Sequence, residues 1–219
     1  RTCCGVCLMP LTDTSPSDIY KRAVLDGLEY RDGGLFVPDA DLWLDSTRSR
    51  PCAFVSHAHR DHIARHGTAV VSAATAALYR YRAGRSTMVT LPFHQPTPRG
   101  STSIELAPAG HILGSAQIRI VRANGTRIVY TGDFKLRGHA CVEAGEVLAS
   151  DILVMEATYG DPRWRFPAPQ VVAGMLRDSV RVAIERDATP IVLAYPLGKA
   201  QTALHILADA GFRVQVHHH

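Results

Sequence analysis

The sequence predicts an α/β protein of one large or two small domains, and three observations support this. The 219 residues are 46% hydrophobic and 20% charged, so the chain can bury a sizeable core and is neither disordered nor fibrous. Its first half alternates short apolar segments with turn signals, a pattern typical of β-strands. Its second half alternates strand-like and helix-like segments, an order that favours parallel pairing.

The elements of the first half follow from their turns. Asp32-Gly33-Gly34 predicts one hairpin and Asn124-Gly125 predicts another. A helix is expected at Ala73–Ala83, and the Pro- and Gly-rich segment His94–Thr102 is expected to be a loop. The expected strands are Leu28–Tyr30, Leu35–Val37, Leu42–Leu44, Pro51–Ser56, Ala69–Ser72, Thr87–Pro92, Ser103–Leu106, Ala116–Arg122 and Thr126–Thr131.

The second half changes in character. A composition shift near Asp161–Pro169 marks a domain boundary. The expected elements are strands at Ile152–Glu156, Pro190–Ala194 and Phe212–Val216, with an amphipathic helix at Gln170–Asp187 and a second helix at Gly198–Ala210.

Composition also limits partners and location. The net charge of +4 permits a polyanionic partner without requiring one. No apolar run approaches the roughly 20 residues of a membrane-spanning helix, so no membrane association is expected. Cys4-x-x-Cys7 would be half of a zinc site, but no second such pair follows. We therefore expect reduced thiols in a cytoplasmic protein. The terminal residues His217–His219 are either native or part of a tag.

The densest group of metal-ligand side chains is Ser56–His62 (SHAHRDH), which directly follows a predicted strand. Imidazole suits zinc, and a carboxylate adds a hard oxygen ligand. A turn at the strand end directs His57 and His59 the same way, whereas Asp61 and His62 face a second ion. The segment therefore predicts a metal centre rather than scattered surface histidines.

Two later segments add candidate ligands. His111 lies between two glycines in Ala109–Ser115 (AGHILGS), and Asp133 follows the strand Thr126–Thr131. Alone, each would be an ordinary loop or turn residue. Together with the histidine motif they complete a dinuclear set, in which Asp133 is a carboxylate able to bridge two ions.

This order of motifs resembles the metallo-β-lactamase fold superfamily. The resemblance implies a four-layer αββα sandwich with two zinc ions, or manganese, at one edge. One ion is held by His57, His59 and His111, the other by Asp61 and His62, and Asp133 bridges them. Asp45 matches the first motif of that superfamily, where it is a structural hydrogen-bonding residue and not a ligand.

Later segments resemble the β-CASP nucleases of that superfamily. Glu156–Gly160 (EATYG) is similar to their first motif, and Pro196–Gln201 (PLGKAQ) with its following helix is similar to the same group. Asp133–Arg137 (DFKLR) and Arg163–Pro167 (RWRFP) resemble its bacterial ligase-associated DNA exonucleases. The same branch contains the pre-mRNA 3′-end-processing endonuclease.

The resemblance runs from about Leu28 to Val216. It implies a metallo-β-lactamase-like domain over 18–165 and the first part of a β-CASP domain over 166–219. β-CASP nucleases carry two further histidine motifs after this region, one of which supplies the last ligand of the second zinc, and His205 inside a predicted helix fits neither. We therefore expect a chain truncated within its β-CASP domain. The first residue is Arg1 rather than Met, as in a fragment, a processed form or a partial gene model.

The resemblance implies a phosphodiesterase that cleaves single-stranded or end-frayed RNA or DNA with a hydroxide activated by two zinc ions. Asp61 would orient the nucleophile, and Glu156 would hold a downstream histidine that protonates the leaving oxygen. A strand-end carboxylate that caps the next loop is the alternative for Glu156. Lys199, with Arg163 and Arg165, would contact nucleic acid.

Alternatives stay open for these contacts and for the function. Trp164 between the two arginines would stack a base, or the segment is an ordinary boundary loop; Lys199 would bind phosphate or simply be solvated. A thioesterase-like small-molecule hydrolase and a non-catalytic scaffold are the other functions considered. The β-CASP-like segments argue against the first, and the filled ligand positions argue against the second. It also stays open whether the protein forms a homodimer, whether its substrate is RNA or DNA, and whether it is an exonuclease or an endonuclease.

Overall fold

The computed structural model describes residues 24–139 and 141–217, which fall into two compact units. The first contains the described residues up to Gly138 together with Val142–Thr158. The second contains His139, Cys141 and the residues from Tyr159 onward. The Cys4-x-x-Cys7 motif lies outside the described residues.

Seven strands form the first sheet in chain order. They are β1 (Val24–Leu25), β2 (Leu28–Arg31), β3 (Gly34–Val37), β4 (Leu42–Leu44), β5 (Cys52–Phe54), β6 (Thr68–Val71) and β7 (Thr87–Thr90). Pairing is antiparallel from β1 to β4 and parallel from β4 to β7. A short 3-10 helix, Pro38–Ala40, joins β3 to β4, and the predicted helix α1 (Ala73–Ala83) joins β6 to β7. The Ser72 hydroxyl caps α1 by accepting the Thr75 N–H at 3.1 Å.

Five strands form the second sheet, in the order β12-β11-β10-β9-β8. They are β8 (Thr97–Arg99), β9 (Thr102–Pro108), β10 (Ala116–Val121), β11 (Arg127–Tyr130) and β12 (Ile152–Val154). The predicted Asn124-Gly125 turn joins β10 to β11, with Gly125 at a φ of 88°. All neighbours are antiparallel except β11 and β12.

The core lies between the two sheets. Phe54 and Val70 of the first sheet pack in one buried cluster with Ile118 and Ile128 of the second. On the other face of the first sheet, Tyr79 of α1 lies in a second buried cluster with strand residues. The predicted α/β class with two packed sheets is confirmed. The layer of α1 and the two sheets correspond to three of the four layers of the αββα sandwich.

Strand β8 corrects the prediction of a loop over His94–Thr102. Thr97 pairs with Ile104, and the hairpin turns at Gly100, whose φ is 56°. Pro98 cannot donate a backbone hydrogen bond, but β8 is an edge strand, where one side of the backbone needs no partner. Proline and glycine here mark an edge hairpin.

The second unit contains α2 (Pro169–Glu185) and α3 (Lys199–Asp209), which confirms both predicted helices. The described part has no strand at Pro190–Ala194 or Phe212–Val216, where the sequence predicts two. A strand requires a hydrogen-bonded neighbour, and apolar alternation alone does not supply one. Among the described residues, none of the helices is both long and apolar enough to span a membrane.

Candidate metal centre

Loops at one edge of the first unit carry the predicted ligands. Asp45 follows β4 and His57 follows β5, and because these strands are parallel their carboxyl ends lie side by side. In the second sheet, His111 follows β9 and Asp133 follows β11. These two strands run in the same direction, since each is antiparallel to β10. The topology therefore brings distant parts of the chain to one edge.

Three imidazoles and one carboxylate converge there, a group we call the four-residue cluster: His57, His59, His111 and Asp133. Nδ1 of His59 lies 3.0 Å from Nε2 of His57 and 3.1 Å from Nε2 of His111. Oδ2 of Asp133 lies 3.7 Å from Nε2 of His57 and 3.6 Å from Nε2 of His111. One donor atom from each residue lies within 4.8 Å of all the others.

This spacing fits the ligand shell of one metal ion. Four ligands at the usual zinc–nitrogen distance, arranged as a tetrahedron, lie about 3.3 Å apart. The contacts in the four-residue cluster run from 3.0 to 3.7 Å. Imidazole nitrogen and carboxylate oxygen are also donors that zinc accepts. The residues present therefore fit a divalent cation.

His57 is held in the form that a metal requires. Its ring is fully buried, and its Nδ1 lies 2.9 Å from the Ser56 hydroxyl, which itself donates to Asp45. The hydroxyl proton is used on Asp45, so the oxygen accepts the Nδ1 proton and leaves the lone pair of His57 on Nε2. Burial, followed by the nearby His62 and the other imidazoles, lowers the pKa of His57 well below its usual value.

Asp45 connects the candidate ligands of both predicted ions. One oxygen accepts the Ser56 N–H at 2.6 Å. The other accepts His62 Nδ1 at 2.9 Å and the Tyr130 hydroxyl at 3.0 Å, in addition to the Ser56 hydroxyl. Because both oxygens already accept hydrogen bonds, the carboxylate is placed to orient ligands rather than to be one.

The outer nitrogen of His62 is a buried polar atom without a hydrogen-bond partner among the described residues. It lies 3.3 Å from Oδ1 of Asp133 and 4.0 Å from Oδ2 of Asp61. Burial acts to lower the pKa of His62, but the charges of Asp45 and Asp133 outweigh it and raise the pKa to about 11. A nitrogen that faces carboxylates in this way is a site where a metal cation replaces a proton.

The second predicted ion has the sparser ligand set. His62 and Asp133 face each other, whereas the side chain of Asp61 is 61% exposed and lies outside the four-residue cluster. The side chain of Asp61 therefore lies near the site but is not packed against the other candidate ligands. Three donors fall short of the four that a zinc shell normally has.

Glycine is required in the loop that carries His111. A Cβ atom on Gly114, whose φ is 76°, would lie 2.6 Å from the Cβ of Ala74. The Gly114 carbonyl accepts hydrogen bonds from the hydroxyls of Ser72 at 2.6 Å and Thr75 at 2.8 Å. The loop is therefore anchored on the first turn of α1.

Glu156 supports the loop that carries Asp133. One carboxylate oxygen accepts the Phe134 N–H at 3.1 Å, and the other accepts the Thr158 hydroxyl. These are the contacts of a loop-capping carboxylate, the alternative that the sequence left open for this residue. The same contacts place Glu156 one residue away from a candidate metal ligand.

The predicted nucleic-acid contacts all lie in the second unit and are exposed. Nε of Arg163 donates to Asp161 at 2.9 Å, whereas Arg165 forms no ion pair with any described carboxylate. Lys199 is the first residue of α3, and its Nζ lies 5.6 Å from the centre of the Tyr195 ring.

Two residues that the sequence did not single out complete the site. Tyr130 donates to Asp45, and Nη1 of Arg82 donates to the Ala58 carbonyl at 3.0 Å, which fixes the peptide between the first two histidines. In the sequence Tyr130 is indistinguishable from a core aromatic of a strand, and Arg82 from a surface cation in the last turn of a helix. Only the proximity of Tyr130 to Gly132-Asp133 is a signal.

Comparison with known proteins gives several relatives, although no protein-family model matches the chain. A probable DNA ligase of Opitutus terrae is 36% identical over 84% of this chain, which spans 18% of the relative. An uncharacterised protein from the 3′ region of a lig gene of Acidianus ambivalens is 33% identical over 49% of this chain and 73% of its own length. RNase aCSPSF2 of Saccharolobus solfataricus is 31% identical over 54% of this chain, which spans 24% of the relative.

Among solved structures, a metallo-β-lactamase of Cronobacter sakazakii is 15% identical, with a TM-score of 0.45 over 86% of this chain and 91% of that protein. The family assignment rests on the sequence relatives, because the Acidianus protein is matched over most of its length. The relatives include proteins named as RNases and as a cleavage and polyadenylation factor subunit. Together with the two-sheet fold and the histidine–aspartate edge, they show that the chain belongs to the β-CASP family of the metallo-β-lactamase fold.

Proposed function

We propose that this chain is part of a metal-dependent phosphodiesterase that hydrolyses RNA or DNA. The observation that carries the proposal is the convergence of the four-residue cluster beside the buried Nε2 of His62, which faces the carboxylate of Asp133. The relatives named as RNases support nucleic acid as the substrate class. The chain spans about a fifth to a quarter of several of these relatives, so the activity is proposed for the whole protein.

In the reaction, water adds to phosphorus, the bond to the 3′ oxygen breaks, and that oxygen leaves with a proton. Two zinc ions, or manganese, would supply Lewis acidity and acidify the attacking water when bound. His57, His59 and His111 would hold the first ion, His62 and Asp61 the second, and Asp133 both. Ser56 and Asp45 would keep protons on the Nδ1 atoms of His57 and His62, so that each Nε2 presents its lone pair.

Two carboxylates have further proposed roles. Asp61 is the most exposed of the candidate ligands, so its free oxygen would also orient the attacking water. Glu156 would hold the Asp133 loop in register through Phe134 and, in the whole protein, position a histidine that gives the leaving oxygen its proton.

Arg163, Arg165 and Lys199 would contact the nucleic-acid backbone. All three are exposed cations, and a guanidinium forms paired hydrogen bonds to phosphate. Their contribution would be positional and independent of sequence, and it would weaken as salt concentration rises.

The test is chelator-sensitive cleavage. The whole protein that contains these 219 residues is incubated with end-labelled single-stranded RNA and DNA of the same sequence, with Zn²⁺ or Mn²⁺, and with or without EDTA. His59→Ala removes a ligand of the four-residue cluster. His205→Ala is the matched control, because its imidazole lies on α3 and pairs with Asp209. We expect cleavage that EDTA and His59→Ala abolish and that His205→Ala leaves intact.

Three outcomes would contradict the proposal. Cleavage that survives His59→Ala would show that the four-residue cluster is not the catalytic centre. A whole protein that binds metal but cuts neither strand would favour a small-molecule hydrolase. A chain that binds no metal would favour a scaffold.

A further inference from the structure

The second unit exposes a compact group of aromatic rings, which we call the aromatic platform: Tyr159, Trp164 and Phe166. We propose that this platform stacks the bases of a single-stranded nucleic acid. The inference rests on the proposed function, since it assumes a nucleic-acid substrate. It adds that the bases of this substrate are bound by one defined surface, the aromatic platform.

The three rings pack as one preformed unit. The planes of Trp164 and Phe166 differ by only 6°, with ring centres 6.3 Å apart. The Tyr159 ring meets both nearly at right angles, 5.6 Å from Trp164 and 5.0 Å from Phe166. Because each ring is braced by the other two, little side-chain freedom remains to be lost when a base binds.

The platform is open to solvent. Tyr159 is 56% exposed, Trp164 55% and Phe166 63%, although these rings could contribute strongly to a core. By contrast, Trp43, the other tryptophan, is only 6% exposed and packs in a buried cluster with Phe36. Exposed aromatic faces in contact with each other are the arrangement on which bases stack.

Charge favours a nucleic acid over an apolar protein segment as the occupant. Arg163 and Arg165 flank Trp164 in the chain, so cations alternate with the stacking rings. Asp161 neutralises Arg163 and fixes its guanidinium, but Arg165 pairs with no described carboxylate and can meet a phosphate. A strand with a base every few ångströms and a negative charge between bases matches this alternation, whereas an apolar peptide leaves Arg165 without a partner.

The binding probe is a fluorescently labelled 12-mer of thymidine with phosphorothioate linkages, which resist hydrolysis, so the metal-loaded chain can be used. The same backbone without bases is the second probe and measures the electrostatic part alone. Binding is followed by fluorescence anisotropy. In a Trp43→Phe background the emission of Trp164 is also followed, because a base stacked on the indole quenches it.

Trp164→Leu and Phe166→Leu remove single rings of the platform. Each should weaken binding of the thymidine 12-mer by about 5- to 150-fold, the range that loss of one stacked base gives. Neither should change binding of the base-free backbone. Tyr81→Leu is the matched control, an exposed aromatic on α1, and should change neither affinity. Arg165→Gln should weaken both probes alike and lower the salt dependence.

Two results would overturn the proposal. Equal binding of both probes by the unaltered chain, with no quenching of Trp164, would mean that bases do not touch the rings. An unchanged affinity for the thymidine 12-mer in both leucine variants would mean that the rings cover protein instead. Both readouts are independent of cleavage. The platform proposal can therefore be refuted while EDTA-sensitive cleavage is observed, and the platform can bind bases while no cleavage is observed.

Discussion

At the scale of single residues, the site depends on the residues that hydrogen-bond to the candidate ligands as much as on the ligands themselves. Asp45 holds His62 directly and reaches His57 through the Ser56 hydroxyl, so one buried carboxylate sets the proton positions of candidate ligands for both ions. The Tyr130 hydroxyl also donates to the Asp45 carboxylate, as a third side-chain donor beside the Ser56 hydroxyl and the His62 ring. Such partners typically change metal affinity by about 10- to 100-fold when removed.

Gly132 provides the sharpest test at this scale. Its φ is 55°, and a Cβ atom there would lie 2.5 Å from the hydroxyl oxygen of Ser56. Gly132→Ala should therefore displace Ser56, lower the free energy of unfolding and weaken metal binding. Gly125→Ala is the control, because Gly125 also has a positive φ, 88°, but nothing lies within 4 Å of its added Cβ.

Urea unfolding and metal titration of both variants separate the cost of a left-handed backbone, which both share, from the steric clash with Ser56, which only Gly132→Ala introduces. Gly125→Ala should cost about 1–2 kcal/mol, the usual cost of the left-handed region, and leave metal affinity unchanged. Gly132→Ala should cost more and reduce metal affinity. Equal effects of the two substitutions would contradict the close packing of Gly132 on Ser56.

At the scale of elements, the sequence predicted hairpins and helices well where local chemistry decides them. The Asn124-Gly125 turn and the Ala73–Ala83 helix are local features, and the structure has both. Strand β8 was missed because an edge position tolerates Pro98, which local rules assign to a loop. Strands at Pro190–Ala194 and Phe212–Val216 were predicted in excess, since pairing depends on a neighbour that the local pattern does not reveal.

Strand β12 offers an element-scale prediction on pH. Asp151, just before β12, accepts the backbone N–H and the guanidinium of Arg127 on β11. These hydrogen bonds lower the pKa of Asp151 to about 2. A carboxyl group whose pKa is lower in the folded state stabilises the fold above its unfolded pKa, near 4, and loses this effect as the pH falls through about 2.

Asp151→Asn should therefore slightly reduce the free energy of unfolding at pH 7, because the ion pair is exposed, and the difference from the unaltered chain should shrink as the pH falls towards 2. Urea titrations at the two pH values measure it. Asp178→Asn is the control, an exposed aspartate paired with Arg181 within one helix, and should have little effect at either pH. A difference of the same size at pH 2 and pH 7 would contradict the assigned role.

At the scale of the whole molecule, the sequence led to the candidate site because its ligands cluster in short motifs. The spacing of His57, His59 and His62 and the glycines around His111 are visible without coordinates. What the sequence could not supply are contacts between remote elements, such as Arg82 with Ala58 or Tyr130 with Asp45, because they depend on how the strands are ordered. The aromatic platform likewise requires three side chains to meet in space.

The central claim is that the four-residue cluster holds a divalent metal ion, and metal stoichiometry tests it most directly. The unaltered chain, His59→Ala, His111→Ala and His205→Ala are loaded with Zn²⁺, dialysed, and measured by inductively coupled plasma mass spectrometry. All four share the terminal histidines, so only differences among them count. We predict that His59→Ala and His111→Ala lose at least one bound zinc that the His205→Ala control keeps. Equal zinc in all four chains would contradict the account.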